Sequence, residues 1–379
     1  MSLHIHITFN RCIRPSRIIK QSRSLLKSGI HNQVKVLCVG DLSLEKKEKI
    51  DENFTIERSI FSPFLYKKNA LFGLFRYIAW VFIVCRKIQK TKPVSVSLHS
   101  INTLIFAPLL KAFFRTYVIY DAHELETEKN GLRPFRKKMY KIQERSLIKF
   151  VDKTIVVNES IKDYYMELYP NYDNISVVKN VPFLSKTKSH SKDLLRKSLN
   201  IPLDCKIFLY QGALTKGRGI EELINVFKKN NFKNCALVFM GYGILENKII
   251  SSSNDHPSIY FHEAVKLDEL LDYTSSSDVG LCLIENTCLS YYYCLPNKIF
   301  EYMATGIPVI ASDFPEIKKV VDEYGKGVLC NPEKEEEIKK AIGFYLKNDA
   351  SNIEANDILQ KYNWNYEEKE FLKIFKNIQ

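Results

Sequence analysis

Three short stretches of this 379-residue chain carry side chains that could do chemistry in concert. In the first, the apolar run KIFLYQ is followed by Gly212-Ala213-Leu214-Thr215-Lys216-Gly217-Arg218-Gly219 and then by the amphipathic Ile220-Glu221-Glu222-Leu223-Ile224. A glycine-rich turn between a strand and a helix leaves backbone N–H groups free at the positive end of the helix dipole, where an anion is welcome. Arg218 adds a planar fork that matches phosphate oxygens, and Lys216 a second cation. Glycines also serve ordinary turns, so the loop by itself indicates phosphate binding only weakly.

The second stretch, Leu295-Pro296-Asn297-Lys298-Ile299-Phe300-Glu301, opens a helix for which Pro296 suits the first turn and Gly306 the C-cap; IPVIAS follows as a buried strand. The amides at its start can meet an anion, and Glu301, one turn further in, can accept hydrogen bonds from vicinal hydroxyls such as a ribose diol. A plain surface glutamate is the competing reading of Glu301 alone. The third stretch is Tyr120-Asp121-Ala122-His123-Glu124 at the end of a strand. A neutral His123 can orient a ligand there, with Asp121 or Glu124 biasing its tautomer. An internally satisfied histidine is the alternative.

Other chemistries are disfavoured. Phe9-Asn10-Arg11-Cys12-Ile13-Arg14 stands after the first strand where a dinucleotide-binding GxGxxG would be, and Gly241-Tyr242-Gly243 lacks the third glycine. No GxxxxGK[ST] loop occurs, and no DxD-like carboxylate pair follows a suitable strand, so no metal is expected.

These stretches need rigid elements to position them. Short β-branched runs alternate with amphipathic ones, the pattern of βαβ units and parallel sheets. HIHITF, VKVLCVG, VSVSLH, YVIYD, KTIVVN and ISVVKN read as strands in the first half, with helices over Ser16–Ser28, Leu74–Lys90, Thr103–Phe114 and Phe135–Phe150. KIFLYQG, ALVFMG, SIYFHE, DVGLCLI and IPVIAS repeat the alternation. The Ser/Lys-rich SKTKSHSKDLLRKSLN separates the halves, giving a first domain over 1–182, a second over 183–363 and a last helix over 364–379. In such sheets ligands bind at the carboxyl ends of the strands.

Composition is that of a globular protein, 45% hydrophobic and 26% charged. The nine cysteines show no CxxC pair and an odd count, which suits core packing in a reducing cytosol. No secretory leader is read at MSLHIHITFNRCIRPSR, and the apolar stretch Leu71–Cys85 is interrupted by Arg76, too short to span a bilayer. The net charge is +13, with Arg86, Lys87, Lys90, Lys92, Arg133, Arg136, Lys137 and Lys138 accompanied by Phe72, Phe75, Tyr77, Trp80 and Phe82. No nucleic-acid motif appears, and an anionic membrane surface fits this mixture better; solvated helix faces are the bland reading.

The runs YDAHE, GALTKGRG and PNKIFEYMATGIPVIAS, in this order, resemble glycosyltransferase family four across nearly the whole chain. The resemblance implies a retaining enzyme of the GT-B fold, an α/β architecture of two Rossmann-like doubly wound domains facing a central cleft, with a C-terminal helix crossing back to the first. It implies a nucleotide-diphosphate sugar, UDP- or GDP-linked, as co-substrate and no further cofactor. By the same resemblance Arg218 contacts the donor diphosphate, Glu301 the ribose and His123 the region of the transferred sugar. Pro296, Asn297 and Lys298 would wrap the diphosphate and sugar beside Gly212, Lys216, Gly217 and Gly219.

Two positions depart from the family pattern. Tyr293 replaces a glutamate that contacts a hydroxyl of the transferred sugar, with Glu285 as a nearby substitute; Ala213 replaces an arginine, with Lys216 or Arg17 as substitutes. The acceptor, a glycan or lipid-linked oligosaccharide, is expected on the first domain near Asn10, Arg11, Arg14, Arg17, Asp121 and Glu124. The expected setting is cytoplasmic, peripheral on the inner membrane face, in cell-surface polysaccharide synthesis. Rival readings are an inverting GT-B transferase, a nucleotide-sugar 2-epimerase or a non-catalytic partner subunit.

Overall fold

The computed structural model describes residues 2–13, 15–66, 69–183, 193–348 and 356–376. Unit 1 is Met1–Asn180 together with Glu367–Gln379, and unit 2 is Val181–Tyr366.

Unit 1 is built on β1 (Leu3–Thr8), β2 (Gln33–Val39), β3 (Lys47–Asp51), β4 (Phe54–Ser59), β5 (Ser95–His99), β6 (Tyr117–Asp121), β7 (Lys153–Val156) and β8 (Ile175–Val177). Their order is β3-β4-β2-β1-β5-β6-β7-β8, parallel except where β3 meets β4. The chain leaves β1 on one side through β2 and returns to its other side with β5, so the order reverses between β1 and β5. A crevice opens at the carboxyl ends of strands that part in this way. Here the ends are set level by pairing Thr8 with His99 and His99 with Asp121.

The helices that matter below are α1 (Ser16–Lys27), α2 (Ala70–Thr91) and α3 (Pro134–Leu147). The side chain of Asn69 accepts from the Leu71 N–H at 2.9 Å, so α2 begins ahead of the apolar run that announced it. The stretch Thr103–Phe114 is not one helix. It is a short α turn, Phe106–Leu109, running into a π turn, Leu110–Phe114, and Pro108 withholds an N–H from any regular ladder there.

Unit 2 has six parallel strands, β9 (Lys206–Ala213), β10 (Cys235–Tyr242), β11 (Ile259–Glu263), β12 (Val279–Cys282), β13 (Val309–Ser312) and β14 (Gly327–Cys330), ordered β11-β10-β9-β12-β13-β14. Alternation along β9 sends Ile207 and Leu209 into one core and Phe208 and Tyr210 into the other, so both faces are covered. The order reverses between β9 and β12. These strands pair only through Val279 with Phe208 and Gly280 with Leu209, then part. Helices α4 (Ile220–Lys229) and α5 (Asn297–Ala304) begin beside that opening. The last helix, α6 (Trp364–Lys373), buries Trp364 and Phe371 as expected, with Phe375 buried just beyond its end.

Strands β3, β4 and β14 were not anticipated. The first is charged (KEKID) and the last partly exposed, and each lies at the edge of its sheet, where packing makes less apolar demand.

Candidate functional site

In unit 2 the glycine loop and the start of α5 meet where β9 and β12 diverge. The nearest heavy atom to a Cβ built on Gly212 is Lys298 Cε, 3.9 Å away. At Gly219 the backbone has φ +68°, and a Cβ would stand 2.5 Å from the Leu283 carbonyl, so only glycine fits this close approach to the end of β12. Glu285 closes the loop from the other side. Its carboxylate accepts from the Gly219 N–H at 3.0 Å, and its own N–H donates to the Gly217 carbonyl at 3.2 Å. Glu285 is thus fixed to the loop through both its carboxylate and its N–H.

Two cations flank the loop, each resting on an aromatic ring. The Arg218 guanidinium lies 4.5 Å from the Tyr291 centroid, and Lys298 Nζ 3.5 Å from that of Tyr210. Burial, with Arg218 adding to it, pulls the Lys298 ammonium down to about 8. One turn into α5, Glu301 accepts from Gln211 Nε2 at 2.6 Å, and the Gln211 carbonyl accepts from the Thr274 hydroxyl at 2.7 Å. Burial raises the Glu301 carboxyl, against the pull of Gln211 and Lys298. Pro296 sits at the N-cap rather than in the first turn, and no side chain caps α5. Lys216 is exposed on the loop; Tyr293 is half-buried, its ring centroid 5.3 Å from that of Tyr292 and tilted by 54°.

In unit 1 the carboxyl ends of β1, β5 and β6 bring three histidines and an aspartate together. His6 Nδ1 lies 2.8 Å from His99 Nε2, and His99 Nδ1 lies 2.7 Å from His123 Nε2. Asp121 Oδ2 is 3.5 Å from His99 Nδ1 and 3.8 Å from His123 Nε2. Arg17 Nη2 donates to Asp121 Oδ1 at 2.7 Å and Arg17 Nε to Oδ2 at 3.0 Å, while Gln21 Nε2 donates to Oδ2 at 2.7 Å. Burial raises the Asp121 carboxyl, but Arg17 and the histidines hold it far below the usual range. Burial lowers His123 to about 4 and His99 to about 3, so both rings are neutral near pH 7.

The residues expected on the acceptor side do not form one surface. Arg17 and Asp121 are buried and spent on each other, because a doubly hydrogen-bonded ion pair beneath α1 leaves neither free for a ligand. Arg11 pairs with Asp41 and Glu124 with Lys129, both near the surface, and Asn10 Oδ1 accepts from the Cys12 N–H. Arg14 lies outside the described residues.

His99, Asp121 and His123 offer ligand atoms within 4.8 Å of one another, the only such group among the described residues. Around a tetrahedral ion with bonds of about 2.0–2.1 Å, ligand nitrogens stand roughly 3.3 Å apart. The 2.7 Å between His99 and His123 is instead the distance of a shared proton.

This pair of sheets superposes on sucrose-phosphate synthase from Thermosynechococcus elongatus with a TM-score of 0.82 at 16% identity, covering 100% of this chain and 99% of that one. Anabaena HepE, solved with UDP-glucose, gives 0.74 at 13% identity over 98% and 99%. Residues 191–363 match the family model described as glycosyl transferases group 1. The chain is a transferase of the GT-B fold, and its match to the group 1 glycosyl transferases lies in unit 2. An uncharacterized glycosyltransferase of Methanocaldococcus jannaschii is 25% identical over 301 residues, 73% of this chain and 72% of that protein. The chitobiosyldiphosphodolichol beta-mannosyltransferase of Candida albicans is 24% identical over 324 residues, 73% and 66%. The resemblance to family four is met in the fold and in the group 1 domain.

Several residues of this glycosyltransferase's site escaped the sequence reading: Tyr210, Gln211, Tyr291, His99 and His6. Gln211 left a signal, a polar residue ending the apolar run IFLY, whereas His99 ends a run already interrupted by Ser95 and Ser97. The ring under Arg218 left none, since Tyr291 is one of three consecutive tyrosines.

Proposed function

We propose that unit 2 binds a nucleoside diphosphate sugar, UDP- or GDP-linked, and that the enzyme transfers the sugar to a glycan or lipid-linked glycan with retention of configuration. One observation carries the donor reading. Arg218 and Lys298 flank a glycine loop and an uncapped helix start, and among the described residues neither has a carboxylate partner within ion-pair distance. Half-buried cations that face no anion are costly, and a diphosphate supplies the missing charge. As the glycosidic bond breaks, charge grows on the departing diphosphate, and donors already aimed there stabilise it. Glu301, its other face steadied by Gln211, would accept from the ribose hydroxyls.

Calorimetry with UDP- and GDP-sugars tests this: one nucleotide series should bind, and Arg218→Ala should weaken it at least tenfold. Absence of binding by any nucleotide sugar, in protein that remains folded, would remove the reading. An inverting transferase is the second reading, favoured by the Candida relative whose name specifies a beta-mannosyl product. Anomer assignment of the product by NMR separates the two, and sugar-nucleotide interconversion without acceptor would reveal an epimerase.

A membrane-bound acceptor is supported by unit 1. Helix α2 is apolar on both sides: Trp80, Val84 and Ile88 are buried, while Leu71, Leu74, Phe75, Ile78 and Phe82 are each more than half exposed. Tyr77 of α2 and Tyr140 of α3 both hydrogen-bond Asn102, so the helices are neighbours, and α3 exposes Phe135, Met139 and Ile142 among Arg136 and Lys138. Apolar side chains rimmed by basic ones suit an anionic bilayer surface. No helix among the described residues is long and apolar enough to cross a membrane. The protein should float with phosphatidylglycerol vesicles more than with phosphatidylcholine, and Phe75→Glu with Phe82→Glu should abolish this; equal flotation would count against it.

A further inference from the structure

The neutral rings of His6, His99 and His123 form a line whose proton count has only two solutions. His99 is fully buried and neutral, so it carries one N–H. Both of its nitrogens are hydrogen-bonded to another imidazole nitrogen, at 2.8 Å and 2.7 Å. It must therefore donate through one and accept through the other, because imidazole nitrogens bond only when one of the two bears hydrogen. The same rule then fixes its neighbours. Either every proton points from His123 toward His6, or every proton points from His6 toward His123.

The two directions differ at the ends of the line. If the protons point inward, the last N–H falls on His6 Nε2. That atom is buried and has no hydrogen-bond partner among the described residues. If they point outward, His6 Nε2 keeps only a lone pair and the last N–H falls on His123 Nδ1, on a side chain that is 36% exposed. A buried donor left unmade costs more than a bare acceptor lone pair at the same place. Asp121 sides the same way, since its carboxylate is closer to His99 Nδ1, at 3.5 Å, than to His123 Nε2, at 3.8 Å. A carboxylate favours hydrogen on the nearer nitrogen.

We propose that His99 is a positioning residue that holds His123 in the Nδ1–H tautomer, so that His123 presents a hydrogen-bond donor, not a lone pair, to an incoming oxygen. His99 donates to His123 Nε2 and is itself held by His6. The partner chemistry follows: the outer nitrogen of His123 takes an acceptor oxygen, from a sugar hydroxyl or a phosphate. At that nitrogen it does not serve as a general base. The inference rests on reading His123 as a ligand-facing residue of the transferase, but it concerns a proton position that exists without ligand.

Ring nitrogen shifts of the full-length protein, labelled with 15N-histidine and free of nucleotide, test it directly. His123, assigned by loss of its signals in His123→Gln, should show a protonated Nδ1 and an unprotonated Nε2. His99 should show a protonated Nδ1 as well. A His123 protonated at Nε2 would overturn the proposal. So would His99 Nδ1 and His123 Nε2 both found bare, with a divalent metal in the purified protein.

The variants add a second reading. Asparagine at 99 can still donate to His123 Nε2, so His99→Asn should keep the tautomer and transfer within about threefold of the parent. His99→Leu should lose the preference and lower kcat about tenfold while leaving KM for the nucleotide sugar within twofold. Equal losses in both variants, with the tautomer unchanged in His99→Leu, would assign His99 to packing alone. If no sugar transfer is found at all, the ring shifts still decide the matter.

Discussion

The ring of Tyr302 in α5 lies directly over Gly280 in β12: a Cβ at Gly280 would stand 2.4 Å from ring atoms Cγ and Cδ2. The hydroxyl at the far end of that ring donates toward the carbonyls of Leu209, at 3.0 Å, and Leu281, at 3.2 Å, and accepts from the Gln211 N–H at 3.3 Å. It therefore ties together the two strands at the point where their own ladder stops. Tyr302→Phe should destabilise unit 2 by about 1–3 kcal/mol, the cost of leaving buried backbone groups without a partner. Gly280→Ala should cost more, because the ring has nowhere to go. Urea midpoints check both, and a Gly280→Ala midpoint equal to the parent's would contradict the overlap.

Lys298 titrates within reach of ordinary buffers. Its ammonium is lowered to about 8 by burial, so the charge is present below that pH and lost above it. A diphosphate binds the charged form, so donor affinity should hold steady up to about pH 7.5 and then fall, by up to roughly tenfold per pH unit. Lys298→Arg, which stays charged, should flatten this limb. Calorimetric titrations from pH 7 to 9.5 decide it.

Glu301 and the ribose can be tested as a pair. Glu301→Ala should weaken nucleotide binding by about 10- to 100-fold, in line with hydrogen bonds to a charged acceptor. The 2′,3′-dideoxy nucleotide should lose as much against the parent protein and little more against the variant, since partners in one interaction are not additive. Additive losses would mean that Glu301 contacts something else.

Five of the chain's eight histidines, at positions 4, 6, 31, 99 and 123, are gathered in unit 1. Burial, the first cause for each, holds all of them below 6.5, with His31 and His123 near 4 and His99 near 3. Unfolded, they take up protons near 6.5; folded, they resist until about 4. Stability should therefore fall as pH drops from 6.5 toward 4, each of the four buried histidines, at 4, 6, 31 and 99, contributing about 1.4 kcal/mol per pH unit where only its unfolded form is protonated, and the more exposed His123 less. Denaturant curves at pH 7, 6 and 5 should show this slope, and His31→Asn should reduce it.

Much of this was legible in sequence because parallel strands buried on both faces read as unbroken apolar runs; KIFLYQ and YVIYD are such runs. The loop after Gln211 and the start of α5 were legible too, since glycine and proline mark where strands and helices change over. What could not be read was partnership. Arg17 looked like a surface cation near an acceptor, yet its carboxylate lies more than a hundred positions away in sequence, at Asp121. His4 and His6 alternate with isoleucines as though facing solvent, but β1 is central, and both of its faces are covered. Only the sheet order converts that alternation into a buried line of rings.

The segment from Glu367 onward belongs to unit 1 although unit 2 is complete before it. Glu367 accepts from the Lys179 N–H at 2.9 Å, and Phe375 packs 5.5 Å from His4 and 5.9 Å from His31. During synthesis the usual order of completion is thus inverted. The half of the molecule translated first waits with part of its histidine-lined interior open, while the half translated second, continuous in the chain, can close ahead of it. A nascent chain halted after Tyr366 would carry a finished second unit and an unsealed first one.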